Sequence, residues 1–395
     1  MKSLSCLAAS FFVGLGLPLL AAAQNPAAAA TPRHPATISD DPAGHLYAEI
    51  ETTKGLIEVE LDFQSAPLTT MNFVGLAEGT LPAWNRPVGQ PFYDGTTFHR
   101  VVKGFVIQGG DPFSADPATP AAQLGEGGSG HTFPDEFGPG LRHDMAGVIS
   151  MANDGPDTND SQFFITLAET NRLNYLHSVF GQVVRGMDVV NRIEQGDRII
   201  HVGIKRAGPL ASRFHGDAEA FGKLRESALA KRRAIPARFS YFEDDTRQLP
   251  DFRVKNFNYK LANYERTTGH RIAVRLEPEF KPFSPGQTRG NYVKTVAAAL
   301  GLPDGGDNVL ACGFAKEAGW TTRLGEATYP ALLGETGSTE QLMANGVLHD
   351  HKAALAARAE TLAHDGKLKE SVDAMIDTLI LTLDDHALGQ RKAQE

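Results

Sequence analysis

The chain has 395 residues, of which 42% are hydrophobic and 22% are charged, and its formal net charge is −9 at pH 7. This length exceeds one ordinary core and predicts two or three domains, and the apolar fraction is sufficient for globular folding. General binding of nucleic acid needs a basic surface to engage the phosphates, which an acidic chain does not provide. We therefore expect no nucleic-acid partner.

The N-terminus has the organisation of an export signal. Lys2 gives a positive start, residues 4–20 form an apolar stretch, and three alanines at 21–23 form a small-residue cleavage site. We interpret residues 1–23 as a signal peptide. The mature protein is then expected in the periplasm or outside the cell, with no stable membrane insertion once the signal is cleaved. An uncleaved membrane anchor is the alternative, because the apolar stretch approaches spanning length.

The next part of the chain has the pattern of a β-rich domain over residues 44–208, after a flexible leader at 24–43 that is rich in alanine and proline. Alternating apolar residues over 46–61 predict a hairpin. Apolar residues at helical spacing predict two capping helices, over 69–78 and 187–194. Short runs of Val, Ile and Phe between them, separated by Gly, Pro and Asp loops, predict a closed antiparallel barrel.

The composition changes after residue 208, and residues 209–395 are expected to form a separate α-rich (α+β) domain of unknown role. Helical patterns are found over residues 217–232, 290–301, 340–364 and 367–386. Strand-like runs are found at 239–242 and 272–276. No motif in this region indicates a particular chemistry.

Three short segments carry the most specific signal in the chain. The first, FHRVVKGFVIQGGD at 98–111, joins an alternating apolar strand to one arginine and to a glutamine followed by two glycines. GVISMAN at 147–153 and SQFFIT at 161–166 follow it. Three segments in this order and spacing are far more specific than a lone Phe-His-Arg. They resemble the two halves of the active site of cyclophilin-type peptidyl-prolyl cis/trans isomerases, and the likeness spans about 45–208, which implies an eight-stranded cyclophilin-like barrel.

The reaction implied by this resemblance is rotation about Xaa-Pro bonds, so the expected partners are proline-containing unfolded or folding polypeptides. Amide resonance opposes the rotation with a barrier of about 18–20 kcal/mol. No covalent intermediate is needed, because a site that binds the twisted amide better than the planar forms lowers this barrier. An apolar slot for the proline ring and a rigid hydrogen-bond donor meet that requirement. We therefore expect no cofactor and no metal.

The resemblance also assigns roles to particular residues. Arg100 matches the catalytic arginine that contacts the substrate amide, and its planar guanidinium carries several donors in fixed directions. The positions that match the proline pocket are Phe105, Val106, Phe164 and Leu173. The other matched substrate-binding positions are His99, Gln108, Ala152, Asn153, Gln162 and His177. In the family the two glutamines orient the arginine and the substrate, the Ala-Asn segment pairs through its backbone, and the second histidine lies at the pocket rim.

This sequence departs from the family pattern at three places. Val106 stands where many members have methionine, which gives the slot a smaller and stiffer lining. Arg172 stands where members that bind cyclosporin tightly have tryptophan, so we expect weak cyclosporin inhibition and intact isomerase activity. Residues 81–91 form an insertion before the arginine strand, and we interpret them as a passive surface loop.

Two other functions are compatible with the sequence. The barrel could act as a binding module for proline peptides, although the joint presence of Arg100, Gln108 and Phe164 favours a working enzyme. The C-terminal half could act as a holdase or dimerisation domain built on its last two predicted helices. The apolar positions of those helices are equally compatible with an ordinary intradomain core, so the oligomeric state stays open.

Overall fold

The computed structural model describes residues 44–234, 239–328 and 347–394. The predicted signal peptide at 1–23 and the leader at 24–43 lie outside these residues, as does the beginning of the helix predicted from residue 340. No helix within the described ranges has the length and apolar content that crossing a bilayer requires.

An eight-stranded antiparallel sheet forms the first part of the chain. Its strands are β1 (His45–Thr52), β2 (Gly55–Leu61), β3 (Arg100–Val102), β4 (Val106–Gly109), β5 (Val148–Met151), β6 (Phe163–Thr166), β7 (Val179–Arg185) and β8 (Ile199–Ala207). They lie in the order β3-β4-β6-β5-β7-β2-β1-β8. The predicted hairpin is confirmed as β1 and β2, which pair from Tyr47 opposite Glu60 to Thr52 opposite Gly55.

The predicted closure of this barrel is wrong. Among the described residues, the edge strands β3 and β8 are joined near their starts by an isolated bridge between Thr97 and Arg198 rather than by a ladder. Main-chain hydrogen bonds across this gap come from loop residues, such as the Phe98 N–H donating to the Asp197 carbonyl at 2.8 Å. The sheet is therefore curled and open. Closure depends on how two loops meet, and the alternation within each strand contains no information about that.

Two helices pack against this sheet as expected, with different lengths. Helix α1 (Pro67–Glu78) begins two residues before the predicted start, because proline suits the first turn of a helix, and it ends at Gly79 in the left-handed region (φ 69°). Helix α2 (Met187–Val190) is a single turn, shorter than predicted. The Phe73 ring of α1 lies 5.5 Å from Phe163 and 5.3 Å from Phe180, which anchors the helix in the core inside the curl.

The C-terminal part contains a four-stranded sheet and helices. The strands are β9 (Phe242–Asp244), β10 (Arg271–Glu277), β11 (Asn308–Phe314) and β12 (Gly319–Leu324), in the order β12-β11-β10-β9. The helices are α3 (Ala218–Ala230), α4 (Asp251–Thr268), α5 (Arg289–Ala299), α6 (Val347–His364) and α7 (Leu368–Gln394). Strand β10 is parallel to both of its neighbours, and β11 and β12 are antiparallel. This arrangement agrees with an α+β class.

Helix α4 was missed in the sequence. It follows Pro250 and ends at Gly269, which adopts the left-handed region (φ 89°). Its buried residues include Phe257, Leu261 and Tyr264, at the i, i+4, i+7 spacing of one helix face. Many polar residues between them obscure that spacing.

Two parts of the C-terminal region pack in different places. Helix α3 contacts α1, and its Phe221 belongs to the core inside the eight-stranded sheet. The hairpin of α6 and α7 turns at Gly366, as predicted, and packs on the second sheet, where the Trp320 indole donates to the Ser371 hydroxyl at 2.9 Å. Residues beyond 208 therefore complete the first core and also build two further apolar clusters around the second sheet.

Candidate active site

Strand pairing places the key matched residues in one row on the outer face of the sheet. Arg100 of β3 is opposite Gln108 of β4, and Gln108 is opposite Phe164 of β6. Their neighbours Ile107 and Phe163 point the other way, into the core inside the curl. Because successive side chains of a strand alternate between faces, the outer face receives the arginine, the glutamine and the phenylalanine together.

A chain of hydrogen bonds orients the arginine. The Gln162 amide nitrogen donates to the carbonyls of Gly125 at 2.6 Å and Gly127 at 2.8 Å, so the Gln162 oxygen points away from them. That oxygen accepts from the Gln108 amide at 3.0 Å, and the Gln108 oxygen accepts from Arg100 Nη1 at 3.2 Å. The direction of each amide is therefore set by backbone carbonyls, and the exposed guanidinium is held from one side.

An aromatic wall lies next to this chain. Phe164 is only 4% exposed, and Val106 is 2% exposed on the same face. The ring of His143 stacks on Phe164 with 5.7 Å between centroids and 16° between planes, and His177 meets it edge-on at 5.3 Å. These contacts hold the Phe164 ring in one orientation, as an apolar surface for a proline ring requires.

Phe105 and Leu173 are half-buried. Arg172, the residue before Leu173, departs from the family pattern and contacts Phe105. The Arg172 guanidinium carbon lies 4.4 Å from the centroid of the Phe105 ring, a cation–π contact. A flat indole face is thus replaced by a charged group that occupies part of the Phe105 surface.

The Ala-Asn segment follows β5 along the same face. The Ala152 N–H donates to the Gln162 carbonyl at 2.9 Å, so it is engaged within the protein. The Asn153 amide donates to the Leu176 carbonyl at 2.8 Å, which ties this segment to the loop that carries His177. The structure thus brings residues of all three sequence segments to one face, whereas the matched His99 is buried.

The three histidines near this surface are neutral at physiological pH, because burial lowers the pKa of each. The pKa of His143 falls to about 3, that of His177 to about 4, and that of His99 is also lowered. His177 Nδ1 donates to the Met151 carbonyl at 3.0 Å, which places its proton on Nδ1. Neutral imidazoles suit a rotation that moves no proton.

The buried His143 predicts a pH dependence of stability. Its pKa is about 3 in the folded protein and about 6.5 in the unfolded chain, so the unfolded chain binds the proton first. The stabilisation is complete above about pH 6.5 and is lost as the pH falls towards 3. We expect the free energy of unfolding, measured with urea, to fall more steeply on acidification in the wild type than in His143→Gln. Parallel curves for the two proteins would contradict this.

Sequence reasoning missed residues that hold the site in place. His143 lies in none of the matched segments, and no sequence pattern predicts that its ring stacks on Phe164. Lys260 Nζ of helix α4 donates to the Asn171 carbonyl at 3.0 Å, and the Asn263 amide donates to the Tyr175 carbonyl at 3.0 Å. Helix α4 therefore supports the loop that carries the pocket rim.

The insertion at 81–91 also reaches this region. The Trp84 indole donates to the Gly128 carbonyl at 2.7 Å, in the glycine-rich loop whose neighbouring carbonyls hold Gln162. Two carboxylates of the loop at residues 154–160 are engaged within the protein. Asp157 pairs with Arg232 and Asp160 accepts from Ser129.

The outer face of the curled sheet thus carries an oriented guanidinium in one row with Gln108 and the buried ring of Phe164. The model of the family described as cyclophilin type peptidyl-prolyl cis-trans isomerase/CLD matches residues 47–208. Peptidyl-prolyl cis-trans isomerase A of Mycobacterium tuberculosis is 44% identical over 153 residues, covering 38% of this chain and 79% of that relative. Peptidyl-prolyl cis-trans isomerase-like 1 of Neurospora crassa is 46% identical over 147 residues, covering 36% and 78%.

Among solved structures, a cyclophilin type peptidyl-prolyl cis-trans isomerase of Cryptosporidium parvum is 30% identical and covers 41% of this chain and 98% of that one, with a TM-score of 0.34. Because the chain is 44% identical to a relative of which it covers 79%, it belongs to the cyclophilin-type peptidyl-prolyl cis-trans isomerases and is an enzyme of that class. The matched residues end at 208, so this assignment concerns the first part of the chain.

Proposed function

We propose that Arg100 is the catalytic residue of this isomerase and that the protein acts on Xaa-Pro bonds of exported polypeptides as they fold. The observation that carries the proposal is the hydrogen-bonded series from Gly125 and Gly127 through Gln162 and Gln108 to the guanidinium, beside Phe164. Such an arrangement presents a donor that needs no reorganisation while the substrate rotates.

In this mechanism the proline ring enters the apolar slot of Phe105, Val106, Phe164 and Leu173. The slot holds the ring while the rest of the chain turns about the C–N bond. As conjugation is lost, electron density collects on the amide nitrogen, and a guanidinium N–H donates to it more strongly than to a planar amide. The stabilisation is therefore greater in the twisted state than in either planar state, and this difference accelerates rotation.

The remaining matched residues position the substrate. The backbone of Asn153 would pair with the chain next to the proline, and His177 closes the rim beside Phe164. His99, which is also matched as a substrate-binding residue, is buried and precedes Arg100 in the chain. Because the imidazoles are neutral, we expect the rate of rotation to show no titration of a histidine near neutral pH.

The export part of the proposal rests on the apolar N-terminal segment and the alanines at 21–23. It predicts a mature chain that begins at Gln24 and is recovered with exported proteins. N-terminal sequencing of the protein isolated from its native cells would test this. An N-terminus at Met1 in a membrane fraction would instead support an uncleaved anchor.

The folding role is tested by a protein whose refolding is limited by proline isomerisation. We expect the purified full chain to accelerate that slow phase and also to catalyse isomerisation of a short Xaa-Pro peptide. If the chain accelerated isomerisation of the short peptide but not the refolding phase, it would be an isomerase without a folding role. Tight peptide binding without turnover would leave a binding module.

A further inference from the structure

A cleft of about 280 Å³ lies beside the isomerase site, between the first part of the chain and helix α4. One wall consists of residues 153–156 with the rim residue His177, and the other is a face of α4 that includes Phe252 and Tyr259. The family model ends at residue 208, so the second wall comes from outside the matched part. The volume suits one or two side chains rather than a folded domain.

The cleft shares the residues Asn153 and His177 with the isomerase site. The His177 ring meets Phe164 edge-on at 5.3 Å on one side and lines the cleft on the other. Asn153 likewise belongs both to the matched substrate segment and to the cleft wall. An extended chain advances about 3.3 Å per residue, so a segment only a few residues from a bound proline reaches the cleft.

The wall formed by α4 is fixed in place. Asn263 donates to the Tyr175 carbonyl, and Lys260 donates to the Asn171 carbonyl while it also pairs with Asp377. A third tie joins the loop at 153–156 to the C-terminal part, because the adjacent Asp157 pairs with Arg232. A preformed cleft loses little conformational entropy when a ligand enters it.

Phe252 and Tyr259 give the cleft an aromatic wall that suits a large apolar side chain, and Asp154, Lys255 and Asn256 are among the polar residues that line the rest. Phe252 is 63% exposed and lines the cleft, so its ring is accessible to a bound segment. The Tyr259 ring presents a second aromatic surface, with Lys255 Nζ 5.4 Å from its centroid. The Asn256 amide also lines the cleft and offers one acceptor and two donors, as a peptide backbone requires.

We propose that this cleft binds the segment of the substrate polypeptide that flanks the proline, and that it selects segments with a large aliphatic or aromatic side chain. The inference rests on the proposed function of the neighbouring site. It gives the C-terminal region a direct role in substrate choice, since α4 supplies the aromatic wall.

The test compares two substrates in each protein. One is a short Xaa-Pro peptide that fills only the slot. The other is a longer peptide with a phenylalanine or leucine a few residues from the proline, made in two versions that place this residue before or after the proline. For the wild type we expect a higher kcat/KM on one longer version. In Phe252→Ala and in Tyr259→Ala the ratio of long-peptide to short-peptide kcat/KM should fall about tenfold, the usual scale for losing one buried aromatic contact.

The matched control is Phe283→Ala, because Phe283 is also 63% exposed but does not line the cleft. It should keep the wild-type ratio. Equal ratios in the wild type, the two cleft variants and the control would overturn the inference while leaving the isomerase intact. If the wild type fails even on the short peptide, the proposed function fails instead. The dissociation constant of the longer peptide, measured by calorimetry in wild type and Phe252→Ala, then still tests the cleft.

Discussion

Replacement of Arg100 by alanine is expected to lower kcat/KM for a short Xaa-Pro peptide by about 10²–10³-fold, the usual scale for removing a preorganised donor. The variant loses the hydrogen bond to the twisted amide but keeps the apolar slot. The exposed side chain contributes little to packing, so the free energy of unfolding should change by less than about 0.5 kcal/mol. Isomerisation measured by NMR exchange, together with urea denaturation, checks both expectations.

Two variants make this result specific. Lys103→Ala removes another exposed cation from the adjacent turn and should retain wild-type activity. Arg100→Lys keeps the charge but lacks the planar fork, so we expect it to recover only part of the loss. If Arg100→Ala kept the wild-type rate, the protein would have a binding role alone. If Lys103→Ala lost as much activity as Arg100→Ala, positive charge in general would matter and the directed hydrogen bond of the guanidinium would not.

Phe164 is expected to have the second large effect. Phe164→Ala removes the buried ring between His143 and His177 and should cost about 3–5 kcal/mol of unfolding free energy. The milder Phe164→Leu should remain folded and lose about tenfold in kcat/KM, because the flat surface for the proline ring is gone. Activity per folded molecule is the quantity to compare.

The neighbouring residue provides a matched control for this change. Phe163 is on the same strand but faces the core inside the curl. Phe163→Leu should therefore reduce stability, by about 1–2 kcal/mol on the scale of core substitutions, and leave the kcat/KM of the folded enzyme unchanged. A similar loss of kcat/KM in both leucine variants would show that Phe164 acts through general stability and not through the slot.

The chemistry of the site could be predicted to a large extent because it is encoded locally. Arg100, Gln108 and Phe164 lie on three short strands whose alternation assigns them to one face, and the order of the segments matches the family. Their roles remain predictions that the variants above test. His143 could not be found in the same way, since its contact with Phe164 is made across the fold and no spacing announces it.

The C-terminal region was less accessible to sequence reasoning. The hairpin of α6 and α7 was predicted from its many apolar positions, whereas α4, which is much more polar, was not. The bonds from Lys260 to Asn171 and from Asn263 to Tyr175 join residues almost ninety positions apart. Such contacts depend on how two surfaces meet.

The amino-acid sequence alone indicated the first hairpin, the α1 helix and the segments that carry the candidate site residues, because hydrophobic alternation and local motifs reflect short-range sterics and burial. Only the tertiary structure decided whether the sheet closes, which residues pack against Phe164, and that helix α4 lies next to the site. Each of these depends on long-range docking, where the free energy is shared among many weak contacts and none leaves a pattern along the chain.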